Sequence, residues 1–374
     1  MKQRKMNPPP PLRGRSIREA DREGGHFGRI ALVQTPPSLS LPLKGGGKSI
    51  PRRLFLTLLA GAALVRPRAA RAQDWERDRV YRIGFLIPTP RKTPVVDALF
   101  DELRTNGLVE GQNLQVIPGS FAVQNDQLPT VAASLVAASP DVIICGPELP
   151  IRALQKLTQT IPLIGMTEDM VGEGLVASLA RPGGNTTGIS LLSPELDGKR
   201  QEILLEAVPS LRKLAILADA NVTKPAHLKE LEEAARSRGV EPLVRGVAKR
   251  QDVIAALKEV KSAGAEGINF LATPLFSTNA ADFILQVREL GLASIYQWPE
   301  DAEDGALSAY GPRYSEMYRL RARLLMKILR GAKPADIPVE QPAKFELIFN
   351  LKTAKAIGLN VPSSLLLRAD KVIE

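Results

Sequence analysis

Cysteine is almost absent: Cys145 is the only one in 374 residues. An intramolecular disulfide is therefore impossible, and with 44% hydrophobic residues the chain has material for sizeable cores without one. The same count excludes a two-cysteine racemase centre. Histidine is nearly as scarce, with His227 following only His26. A serine–histidine–acid triad would have to use His227, yet no Gly-x-Ser-x-Gly elbow accompanies it, and it reads as a surface residue before a helix. There is no phosphate loop of the Gly-x-x-x-x-Gly-Lys-Ser/Thr type, and no Gly-x-Gly-x-x-Gly opening a helix. No His, Cys, Asp or Glu set has metal-ligand spacing. Cys145 ends an apolar run and reads as a buried thiol rather than a nucleophile. The expectation is a non-enzyme without cofactor or metal. After residue 72 no apolar run approaches the ~20 residues that span a bilayer.

The net charge of +10 suggests a nucleic-acid or membrane partner, but its distribution removes that reading. Residues 1–72 hold 15 of the 50 basic residues and 3 of the 40 acidic ones, which leaves 35 and 37 in residues 73–374. No nucleic-acid partner is expected of the near-neutral body. Residues 1–48 lack apolar periodicity, are rich in Pro, Gly and Arg, and read as disordered or as a start assigned too early. Residues 49–72 read as an export signal. Pro51-Arg52-Arg53-Leu54-Phe55-Leu56 leads into a short apolar stretch, and Ala70-Arg71-Ala72 forms a cleavage site before Gln73. Arg-Arg-x-Phe-Leu is similar to the twin-arginine consensus, with the general secretory route as the alternative. No Cys stands at the cleavage point to carry a lipid. A periplasmic location and a monomer are expected.

Behind the signal, short apolar runs alternate with helical stretches. The runs are Tyr81–Ile87, Leu114–Ile117, Asp141–Cys145 and Pro162–Gly165, and residues 95–106 and 128–138 between them have helical spacing. Such alternation specifies βαβ units and a parallel sheet. The pattern then recurs: Leu214–Leu217 answers Ile83–Leu86, Ile268–Leu271 answers Val142–Cys145, and Ala293–Tyr296 answers Pro162–Gly165. Two Rossmann-like α/β lobes in tandem are the economical reading, over residues 80–190 and 191–311, with one larger sheet as the alternative. A helix over 315–329, a strand over 345–350 and a closing helix over 351–357 follow, and residues 312–374 are expected to complete the first lobe. Chain crossings are expected near Ser190–Ser193 and Tyr310–Pro312.

Ligands of open parallel sheets bind beyond the carboxyl ends of the strands. The loops there place Thr89, Gly146, Pro147, Glu148, Thr167 and Asp169 on the first lobe, and Asp219, Asn221, Thr273, Phe276 and Trp298 on the second. Hydroxyls and carboxylates suit a zwitterion, and Phe276 and Trp298 suit a flat or apolar part. A small-molecule ligand, amino-acid-like or aromatic, is the expectation. For each residue alone, turn chemistry is the competing explanation.

Several longer stretches resemble one family. They are Arg82–Leu86, Gly107–Asn113, residues 174–188 (GLVASLARPGGNTTG), Leu196-Asp197-Gly198-Lys199-Arg200 and Gly331–Pro342. Across residues 80–374 the chain is similar to substrate-binding proteins of ABC transporters of the tryptophan/tyrosine-binding type. The resemblance implies a type I periplasmic-binding-protein-like fold of two hinged lobes, a ligand in the cleft, and an ABC permease as partner. Three ligand-facing loops depart from the family pattern. Gly146-Pro147-Glu148 replaces Gly-Thr-Pro, Glu168–Gly172 replaces Gly-Asp-Pro-Val-Gly, and Asp219-Ala220-Asn221 replaces Asn-Pro-Asn. A ligand-sensing receptor partner of a signalling system is the alternative function, with an α/β enzyme ranked below it. The turn Arg181–Asn185 reads as a helix stop rather than a ligand contact.

Overall fold

The computed structural model describes residues 79–374 except 120, 192, 278 and 279, so the expected export signal and cleavage site, like the expected disorder over 1–48, lie outside the described residues. Two sheets organise these residues into two lobes. The first sheet has β1 (Tyr81–Leu86), β2 (Leu114–Val116), β3 (Val142–Cys145), β4 (Leu163–Thr167) and β5 (Thr186–Ser190), all parallel in the order β2-β1-β3-β4-β5. Helices α1 (Pro94–Thr105), α2 (Leu128–Ala137) and α3 (Glu148–Leu157) connect β1 through β4 in turn, and a stretch without a helix leads from β4 to β5. The unbroken apolar run of β3 is buried at every position, as expected of a central parallel strand covered on both faces. At β5 the backbone of Gly188 has φ +151°, and a Cβ there would lie 2.0 Å from the Gly165 carbonyl oxygen, so this strand pairing requires glycine.

The chain then crosses to the second lobe. Its elements are α4 (Ser193–Ala207), β6 (Lys213–Asp219), α5 (Pro225–Ser237), β7 (Glu241–Val247), α6 (Arg250–Ser262), β8 (Gly267–Phe270), α7 (Pro274–Ser277), α8 (Ala280–Glu289), β9 (Ala293–Tyr296), α9 (Pro299–Glu303) and β10 (Ser308–Gly311). A second crossing leads into α10 (Tyr314–Leu329), which returns to the first lobe and packs beside α1. Val96, Leu99 and Leu103 of α1 meet Leu324, Leu325 and Ile328 of α10 in one apolar cluster over the first sheet. Burying each Leu or Ile side chain there contributes about 1.5–3 kcal/mol.

Residues 337–340 stay on the first lobe: Ser190 N donates to Glu340 O at 3.0 Å, and Glu340 N to Gly188 O at 2.9 Å. The chain then crosses a third time, to β11 (Glu346–Asn350), α11 (Leu351–Ala356), α12 (Ser363–Leu366) and β12 (Lys371–Ile373). These strands extend the second sheet to the order β12-β11-β10-β9-β8-β6-β7, in which only β10 and β11 are antiparallel.

The expectation that all of 312–374 completes the first lobe therefore does not hold beyond residue 340. Glu346–Asn350 pairs with Ser308–Gly311, which immediately precedes the second crossing, and Leu347 and Phe349 enter the second lobe's core. The 181–185 turn is present, but no helix precedes it. Instead Asn185 Nδ2 donates to the carbonyls of Thr158 and Ile161 and sets the start of β5.

Candidate ligand-binding site

The carboxyl ends of β1, β3 and β4 face the loops after β8 and β9 across a cleft, the place where open parallel sheets bind ligands. The first lobe contributes Thr89, Gly146, Pro147, Thr167 and Glu168, and α10 adds Tyr314, Tyr318 and Arg321. The second lobe contributes Pro274, Ser277 and Trp298. The Trp298 ring stacks on Tyr314 with centroids 4.3 Å apart, and Tyr314 meets Tyr318 edge-on at 5.2 Å. This aromatic wall is built from both sides: Trp298 follows β9 of the second sheet, yet packs into the first lobe's apolar cluster. The hydroxyls of Thr89 and Tyr318 share a hydrogen bond of 2.9 Å.

Two ionisable groups in the cleft, Glu168 and Arg321, form no ion pair with each other. The Glu168 carboxylate accepts from Ser193 Oγ, at the first crossing, and from Gln297 Nε2 of the second lobe at 3.5 Å. Enclosure away from water, aided by repulsion from Asp197, raises its pKa to about 8, although Arg200 opposes the rise. Beneath it Thr167 Oγ1 donates to both oxygens of Glu173, whose burial raises it to about 7 against that hydrogen bond. Arg321 is 1% exposed and donates from Nη2 to the Cys145 carbonyl at 2.6 Å. The Cys145 thiol itself is buried, which pushes it up to about 12.

A smaller space adjoins the cleft at Trp298, lined by Thr273, Phe276, Gln297 and the buried Asp301 among others. Burial raises Asp301 to about 8, against the hydrogen bond it accepts from Trp298 N.

Of the residues singled out by sequence, Thr89, Gly146, Pro147, Thr167 and Trp298 meet at the cleft, and Thr273 and Phe276 line the adjoining space. Phe276 is edge-on to Phe270 in the second lobe's core. Glu148 opens α3 and pairs with Arg152 at 2.6 Å. Asp169 closes a turn by accepting from Gly172 N at 2.8 Å. Asp219 accepts from Asn221 N at 2.9 Å, and Asn221 Nδ2 also reaches Ala248 O, so that pair forms an Asx turn. None of these four lines the cleft.

Glu168 and Gln297 stand in loops that the sequence had marked, one position from residues chosen there. Tyr314, Tyr318 and Arg321 were missed. Their i, i+4, i+7 spacing marks one helix face, but only the second crossing turns that face toward the cleft. His227 is not simply a surface residue either: its Nε2 lies 3.0 Å from Asp197 Oδ2.

Asp197 and Arg200, from the motif at the start of α4, form a buried ion pair at 2.5 Å. Asp197 also accepts from Ala272 N, and Arg200 donates to Tyr310 O near the second crossing.

The family model for ABC transporter substrate binding proteins matches residues 83–373. The chain belongs to that family. A curated relative, the tyrosine-binding protein of Clostridioides difficile, is 24% identical over 294 residues, covering 76% of this chain and 83% of the relative. Among solved structures, a conserved domain protein from Vibrio cholerae has a TM-score of 0.70 at 23% identity, covering 79% of this chain and all of that one. An ABC domain from Streptococcus pneumoniae in complex with L-Trp has a TM-score of 0.67 at 20% identity, covering 78% of this chain and all of the other. Both structural likenesses show the two-lobed α/β fold. In this substrate-binding protein the family motifs fall largely on framework. Asp197–Arg200 ties α4 to β8 and β10, and Asn185 ties the β5 turn to the end of α3.

Proposed function

We propose that this ABC substrate-binding protein captures a small amino-acid-like or aromatic solute between its lobes, without converting it, and delivers it to an ABC permease. The observation that carries the reading is a cleft at the strand carboxyl ends whose aromatic wall joins residues from both lobes. A solute lying against Trp298 and Tyr314 touches both sides at once, so its binding energy favours the closed arrangement. The backbone passages near Leu191, near Pro312 and over 341–345 act as the hinge. The relatives' named ligands, tyrosine and L-Trp, agree in kind with this wall. Export by residues 49–72, cleavage after Ala72, a periplasmic location and a monomeric state belong to the same proposal.

A thermal-shift screen of the purified protein against the amino acids and small aromatic acids tests it, because a ligand of the native state raises Tm by mass action. An aromatic amino acid or acid is expected to give the largest shift. Turnover of a hydrolase substrate with no shift from any solute would overturn the reading.

A further inference from the structure

Two arginine side chains are the largest fully buried groups among the described residues, and they are treated differently. Arg200 has its carboxylate, Asp197, at 2.5 Å. Arg321 has no carboxylate within ion-pair distance among the described residues and makes one hydrogen bond through Nη2; like that of Arg200, its Nε is left without a partner. A guanidinium carries five N–H donors, and burying one without a counter-charge is strongly unfavourable unless an anion arrives to complete it. Arg321 borders the interlobe cleft, where such an anion has room.

The nearby acids do not fill this role. Glu168 lines the same cleft but is engaged by Ser193 and Gln297. The cation that stabilises the ionised forms of Glu168 and Asp301 is Arg200. Cys145, which does feel the charge of Arg321, stays a neutral thiol because of its burial.

We propose that Arg321 is the anion anchor of the cleft: its guanidinium takes a carboxylate of the ligand, and the solute class is a flat organic acid for which that carboxylate is obligatory. The Thr89–Tyr318 hydroxyl pair lines the same cleft and supplies a further donor. The planar part of the solute lies along Trp298 and Tyr314. A planar fork meeting a carboxylate is the geometry in which arginine outperforms lysine. This rests on the reading of the cleft as a solute site and adds which chemical group is compulsory.

Isothermal titration of the full chain with L-tryptophan, L-tyrosine and 3-(4-hydroxyphenyl)propionate, and with L-tryptophanamide, L-tyrosinamide and tryptamine, tests the anchor. The wild-type protein is expected to bind a carboxylate-bearing probe about 100-fold more tightly than its amide or amine counterpart, as loss of one partner of a buried charge pair implies. That comparison needs no variant. In Arg321→Gln and Arg321→Met the acid is expected to weaken by a similar factor, and the preference for acid over amide to fall close to one.

If Arg321 only propped the Cys145 carbonyl, acid and amide would weaken together and the preference would survive, which overturns the anchor. Wild-type protein binding amides or tryptamine as tightly as acids overturns it too, while leaving the solute-binding reading standing. Binding of none of the six probes overturns both.

Discussion

Asp301→Asn isolates one consequence of burial in this fold. The carboxyl of Asp301 is raised from 3.8 to about 8, chiefly by desolvation. Between those values the folded protein keeps a proton that the unfolded chain has released. Its contribution to stability is therefore complete below pH 4 and is lost as the pH climbs through 8. One proton difference corresponds to about 1.36 kcal/mol per pH unit. From pH 5 to pH 7 the wild type should thus lose about 2.7 kcal/mol more than a variant that cannot ionise there.

Asparagine has nearly the shape of the protonated acid and can still accept from Trp298 N, the bond that Asp301 makes at 3.3 Å. Glu168 and Glu173 move in the same direction, and Glu303 is lowered by its arginine and lysine partners. All three are common to both proteins and cancel in the difference. Urea unfolding at pH 5, 6, 7 and 8, followed by tryptophan fluorescence, gives the two profiles. The expected result is a gap that widens in favour of Asp301→Asn as pH rises. Parallel profiles would refute the claim that this carboxyl is held neutral by burial.

Cys145 is buried with its thiol pushed up to about 12, so a thiol reagent at pH 8 should leave native protein unlabelled. Labelling should begin only at urea concentrations that unfold the first lobe; stoichiometric labelling of native protein would contradict the burial. Asp197→Ala removes the counter-charge of Arg200 and the acceptor for Ala272 N and His227, and is expected to cost about 3–5 kcal/mol by urea unfolding. Adding Arg200→Met should recover much of that loss, and failure to recover any would mean the pair is not the unit of stability.

How far the sequence reaches differs between the fold and the cleft. Apolar runs such as Val142–Cys145 and Leu214–Leu217 named their strands because a strand covered on both faces needs nothing but apolar side chains. Other strands were silent for equally physical reasons. Glu241–Val247 is an edge strand with charged and small residues, and Lys371–Ile373 is three residues long at the opposite edge. Thr186–Ser190 depends on close approach at Gly188 rather than on hydrophobicity.

In the cleft, loop position placed Thr89, Gly146, Pro147, Thr167 and Trp298 together, because strand ends of one parallel sheet converge whatever the packing details. The same reasoning misplaced Asp169, Asp219 and Asn221, whose carboxyl and amide groups satisfy their own turns.

By itself the sequence determined the α/β repeat, the near-neutral body after residue 72 and the set of loops from which a site could be drawn. Those are properties of short-range periodicity and composition. Only the tertiary structure decided that the tail divides between the lobes, that Trp298 crosses to stack on Tyr314, and that Arg321 stands buried at the cleft with no carboxylate beside it among the described residues. Each of these is a relation between residues distant along the chain, set by how α10 and β11 pack after the crossings. No local pattern carries that information.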